Sequence, residues 1–194
     1  MTGIVRIMQL SDTHFLEDGV APEGGVAYNT GEAFDAVFNH IGDHSALDMV
    51  VVTGDVADHG RAAEYRKAAD AFSRFEVPVN VCPGNHDVDA VFSSGMARPG
   101  VSTSRVVEVG AWAFLFVDSS AGTMLDHESG MRVDPPGETR LHTQGTLGQR
   151  EAAWVNQMCE TTNAAHVFVW VHHPPEPPVP MCRDDAYAAE WHGI

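Results

Sequence analysis

The chain has 194 residues, 44% hydrophobic and 20% charged, a balance that excludes a disordered segment and suffices for one domain over residues 1–194 with a substantial core. A formal net charge of −16 opposes binding to nucleic-acid backbones and anionic membranes, yet permits an anionic substrate that is met by metal ions. Cys82, Cys159 and Cys182 are an odd set without zinc-ribbon spacing, the N-terminus lacks a signal-peptide core, and no apolar run nears the ~20 residues of a membrane span. These features predict reduced thiols in a cytoplasmic protein with neither nucleic acid nor membrane as partner.

Ile4–Leu10 is a short apolar-rich run bounded by Gly3 and Ser11 and predicts a buried strand. A Gly- and Pro-bearing loop (17–28) follows. Asn29 and Glu32 then give a capping-box-like start to a helix whose apolar face is Phe34, Val37, Phe38 and Ile41. The β-branched run MVVVT predicts a second strand before GD at 54–55. Arg61–Phe75 reads as a second helix with a stripe of Tyr65, Ala68, Ala69, Phe72 and Phe75, and VPVNV (77–81) as a third strand. This alternation predicts a parallel α/β arrangement. SRVVEVG and AWAFLFVDSS, separated at Gly110, then predict a hairpin. Residues 121–146 read as a long loop, Leu147–Met158 as a helix and AHVFVWV (165–171) as a last strand before HHPPEPPVP.

Ligand-type residues stand after four of these strands: Asp12 and His14 in SDTHF, Asp55 and Asp58 in TGDVAD, Asn85, His86 and Asp87 in PGNHD, and His172 and His173 in HHPP. Ligands of open α/β sheets bind beyond the carboxyl ends of the strands, so the four clusters are expected in one crevice. Asp12 and His14, at i and i+2, share one side of an extended segment. The mixed carboxylate, imidazole and amide set suits Mn, Fe, Co or Zn and carries no thiolate.

The ordered motifs Asp12-x-His14, Gly54-Asp55, Gly84-Asn85-His86-Asp87 and His172 resemble those of the calcineurin-like metallophosphoesterases. The wording SDTHF, GDVADHG, PGNHD, FVDSS and VHHPP is most similar to bacterial class III cyclic nucleotide phosphodiesterases and glycerophosphodiesterases. The resemblance implies a four-layer α/β/β/α sandwich and a binuclear metal-dependent phosphodiesterase acting on a small phosphoester. It implies one metal on Asp12, His14 and Asp55, and a second on the bridging Asp55, Asn85 and His172. Catalysis would rest on Asp55, Asn85 and His86, with His86 over the substrate rather than on a metal. His173 stands as the alternative to His172, Asp87 is expected to orient His86 or cap the next turn, and Asp58 is ambiguous. A protein Ser/Thr phosphatase is a further alternative that GDVADHG suggests only faintly.

One element of the family pattern has no match. The Gly-His-x-His motif, from which each metal takes a histidine, is missing; the one histidine after His173 is His192. The expectation is therefore a sandwich incomplete at its C-terminal side, with weakened metal sites and an exposed sheet edge that invites pairing into a homo-oligomer. A catalytically impaired metal- or phosphate-binding module, or a fragment of a longer enzyme, is the alternative. Three bland readings complete the sequence: His40 and His44 on a solvated helix face rather than on zinc, Cys82 as a small core residue, and Trp154, Met158 and Cys159 as helix packing.

Overall fold

A computed structural model of the chain describes residues 4–18, 20–23, 26–121, 123–125, 132–133 and 145–174. Its first half runs β1 (Ile7–Leu10), β2 (Val20–Glu23), β3 (Val26–Asn29), α1 (Thr30–Ile41), β4 (Met49–Thr53), α2 (Ala62–Phe72), β5 (Val79–Cys82) and α3 (Asp89–Gly95). The second half adds β6 (Val101–Ser102), β7 (Val106–Val109), β8 (Trp112–Phe116), β9 (Met124–Leu125), β10 (Arg132–Val133), α4 (Gly148–Thr161) and β11 (His166–Trp170).

β1, β4, β5 and β6 form one parallel sheet in the order β1-β4-β5-β6. β4 is buried at every position, as a central strand covered on both faces must be. Its alternation divides the core. Val50 and Val52, with Val79 and Val81 of β5, pack against Phe34 of α1 and Tyr65, Ala68, Ala69 and Phe72 of α2. Met49, Val51 and Cys82 face the other way, onto Phe114 and Phe116 of β8. β8 is the centre of a second sheet, antiparallel to β7 and parallel to β11. Helices, sheet and sheet are thus stacked as the α/β/β layers of the expected sandwich. α4 is tied to the second sheet through Glu151, which accepts from Arg105 before β7 and from the Asp118 backbone after β8.

Several elements depart from the sequence reading. Residues 20–29 contain an antiparallel hairpin of β2 and β3, not a plain loop; its Gly and Pro content hid it. The third strand starts at Val79, because Pro78 has no N–H to give a ladder. The seven-residue α3 and the two-residue β6 were too short to leave a periodic signal. Within 121–146, β9 and β10 pair, and most of the remainder lies outside the described residues, as do Cys182 and His192. α1 ends at Ile41 with Gly42 at φ 71°, so His40 and His44 do not share a helix. His44 is buried between the rings of Phe38 and Phe75. Cys82 is in the core, whereas Cys159 is exposed on α4. Among the described residues, no helix is long and apolar enough to cross a membrane.

Candidate metal centre

Two loops leave the carboxyl ends of β1 and β4 and zip together. The amides of Asp12, His14 and Phe15 donate to the carbonyls of Gly54, Asp55 and Val56, and the Asp58 amide donates back to Phe15. To make these bonds, Asp12, His14 and Asp55 adopt left-handed backbone, with φ of 55°, 41° and 50°. Such conformations cost non-glycine residues on the order of 1–3 kcal/mol each and persist where surrounding structure enforces them. The third loop, GNHD, crosses so closely that a Cβ on Gly54 would meet the Gly84 backbone at 2.7 Å, and one on Gly84 would strike the Asp55 carboxylate. Glycine at both positions is a packing requirement.

The histidines share one pattern of anchoring. His14 places Nδ1 3.0 Å from Asp58 Oδ1, His86 places Nδ1 2.7 Å from the Asp58 carbonyl, and His172 places Nδ1 2.8 Å from the Thr53 carbonyl. Each Nδ1–H donates to the protein, which leaves Nε2 as the ring nitrogen that an ion or a substrate could engage. Nε2 of His172 lies 3.3 Å, and Nε2 of His14 3.6 Å, from Asp55 Oδ2. Asp12, Asp55 and His172 form one group, and His14, Asp55 and His86 another, whose candidate ligand atoms lie within 4.8 Å of one another. Asp55 is common to both. Its other oxygen accepts from the His86 amide at 3.0 Å.

His173 is differently engaged. Nδ1 pairs with Ser119 Oγ at 2.8 Å, and Nε2 sits 3.1 Å from Asn85 Oδ1. With both nitrogens engaged, His173 supports Asn85, whereas His172 has Nε2 beside Asp55. An amide oxygen has two lone pairs, so Asn85 can accept from His173 and still offer a lone pair to an ion.

Asp87 is fully buried, and its carboxylate accepts from the amides of Val56, Ala57 and Gly84. It fastens the GNHD turn to the GDVAD loop. Burial pushes its carboxyl up to about 6, against the pull of the Gly84 amide. Burial also opposes the charge on Asp55, but His172 and the His86 amide overcome it and hold this carboxyl below the ordinary value. His172 is the counterpart: burial opposes its protonation, and the adjacent Asp55 carboxylate nevertheless pushes it up to about 9. The ambiguity at Asp58 resolves into a carboxylate–histidine pair with His14, extended by His59, whose Nδ1 lies 3.3 Å from Asp58 Oδ2 and 3.1 Å from the buried Glu64. Ser119 stands in the FVDSS stretch of the family-like wording, where the sequence assigned it no role.

The loops after β1, β4, β5 and β11 thus bring Asp12, His14, His86 and His172 around Asp55, with Asn85 beside His173. A profile of the calcineurin-like phosphoesterase family matches residues 5–193. The chain belongs to this family. Among calcineurin-like relatives, it is 29% identical over 175 residues to the 3',5'-cyclic adenosine monophosphate phosphodiesterase CpdA of Escherichia coli K12, covering 89% of the chain and 56% of that protein. It is 28% identical over 179 residues to the glycerophosphodiester phosphodiesterase GpdQ of Enterobacter lignolyticus, covering 88% of the chain and 57% of that protein. The chain thus spans little more than half the length of these relatives.

Proposed function

We propose that this calcineurin-like chain carries a binuclear metal centre that hydrolyses phosphodiesters, of the cyclic nucleotide or glycerophosphodiester kind, in the cytoplasm. The observation that carries this reading is the shared Asp55: it joins two groups of ligand-type side chains, and His14 and His172 place Nε2 beside it while Nδ1 is held by the protein. A mixed N/O donor set of this kind fits Mn, Fe, Co or Zn. One ion would be held by Asp12, His14 and Asp55, the other by Asp55, Asn85 and His172. When bound, the pair would supply a nucleophile at neutral pH and positive charge for the phosphoryl oxygens.

The protein's own groups do the rest. Asp58 fixes the tautomer of His14 through its carboxylate and the ring of His86 through its carbonyl. With a proton on Nε2, His86 would present it to the charge that builds on phosphorus-bound oxygen, or hand it to the leaving oxygen. Ser119 and His173 keep the Asn85 amide in place. The shared family and the two kinds of phosphodiesterase relative support the ester class.

Hydrolysis of a chromogenic phosphodiester by the 194-residue chain in excess Mn²⁺ tests the reading, beside Asp55→Ala. Turnover is expected in the parent chain and should fall to background in the variant. Equal, background-level rates in both would leave a metal- or phosphate-binding module.

A further inference from the structure

Glu64, in the first turn of α2, is a fully buried carboxylate that the proposed chemistry does not use. A glutamate is almost never buried completely unless it is paired. Oε2 accepts from the amides of His59 and Arg61, each at 3.0 Å, and Oε1 lies 3.1 Å from Nδ1 of the His59 ring. The two amides pin the turn on either side of Gly60, which has a φ of 64° and no room for a Cβ against the Val88 side chain. Glu64 thus fixes the end of the GDVADHG loop.

The His59 ring has a second neighbour. Its Nδ1 also lies 3.3 Å from Asp58 Oδ2, so one N–H stands between two carboxylates. The other oxygen of Asp58 is the partner of His14 Nδ1, at 3.0 Å. A single ring therefore separates a buried anion from the carboxylate that fixes His14. The two anions are not equally free to move: the Glu64 side chain is fully buried, whereas that of Asp58 is 29% exposed. Like charges repel, and without the N–H between them Asp58 is the one that turns away. Its backbone does not follow. The Asp58 amide donates to Phe15, and the next amide is held by Glu64. The Asp58 carbonyl, which holds His86, stays in place.

Resting on the metal-centre reading above, we propose that His59 is a positioning residue for His14. By standing between Asp58 and Glu64 it keeps the Asp58 carboxylate on His14 Nδ1, and with it the tautomer that leaves Nε2 for an ion. The effect runs through the Asp58 side chain, so it reaches His14 and spares His86.

His59→Ala removes the ring and keeps the amide that Glu64 holds. His59→Asn returns an N–H donor to the side chain. The parent and both variants are compared by Mn²⁺ titration calorimetry, by the ring ¹⁵N shifts of His14 and His86 in the metal-free protein at one fixed pH, and by melting in EDTA. In His59→Ala, one Mn²⁺ binding step should weaken about three- to tenfold, less than the ~10–100-fold loss typical when a ligand's direct partner is removed. The His14 nitrogens should move toward the shifts of mixed tautomers, while those of His86 stay. The melting temperature should change by no more than about 2 °C, as for most substitutions of half-exposed residues. His59→Asn should return affinity and shifts to the parent values. Unchanged affinity, unchanged His14 shifts, or a loss that His59→Asn shares would each overturn the proposal. A parent chain that binds no Mn²⁺ would remove the metal-centre reading instead. The metal-free shifts then decide for His59: a change confined to His14 supports its positioning role, and none overturns it.

Discussion

Asp55 and His172 face each other across 3.3 Å with side chains that are both nearly buried, and their proton affinities move apart for that reason. In the metal-free chain His172 is pushed up to about 9 from an ordinary 6.5, and Asp55 is held below 3.8. Between 6.5 and 9 the folded state therefore binds more protons than the unfolded state, so stability falls as pH rises through that window. For Asp55 the sign is reversed: its contribution is present above about 3.8 and is lost as pH drops through the folded value. The metal-free protein should be most stable between these limits. Urea midpoints measured against pH in EDTA should decline from about pH 6.5 toward 9, and His172→Ala should flatten that decline. A parent profile that is flat over this range would mean that the pair does not titrate as a unit.

At the scale of elements, the sequence was most legible where a single periodicity ran long enough to be read. α2 shows this best, since Tyr65, Ala68, Ala69 and Phe72 recur at helical spacing and all are buried. β4, a β-branched run, was equally plain. The strand ends also pointed to the candidate centre, because ligand-type side chains follow four hydrophobic runs. What stayed hidden depends on contacts distant in sequence. Asp87 was expected to orient His86 or cap the next turn, and the three amides it accepts from lie on two loops. Ser119 and His173 meet only because β8 and β11 are parallel neighbours. Tyr65 belongs to the same class: it reads as one more stripe residue, but its hydroxyl accepts from the Val88 amide at 2.8 Å, joining α2 to the start of α3. Tyr65→Phe removes that acceptor and leaves the amide without its partner. The expected cost is about 1–3 kcal/mol, measurable as a lower urea midpoint, with the largest loss of hydrogen-exchange protection in α3. A substitution without effect on either would mean that water replaces the hydroxyl.

For the molecule as a whole, the two sheets differ in how they end. Among the described residues, β11 borders the second sheet with one neighbour, β8, and leaves Phe168 and Val169 44% and 39% exposed. An open edge with apolar side chains is a template for pairing with another chain. Opposing it is a formal charge of −16, which makes two copies repel at long range. Salt shortens the range of that repulsion, to about 10 Å at 0.1 M, and leaves short-range apolar contact unaffected. Self-association through β11 should therefore strengthen with ionic strength, the opposite of what contacts made by surface ion pairs would do. Light scattering behind size exclusion is expected to show a dimer or larger species that grows from low to moderate salt. Val169→Lys should return it to the monomer, because the lysine charge sits on the edge itself. A half-exposed position tolerates the change with roughly 0.5 kcal/mol or less of folding stability, so loss of assembly without loss of melting temperature would identify the edge. A parent chain that stays monomeric at every salt concentration would show that the edge is not used between copies.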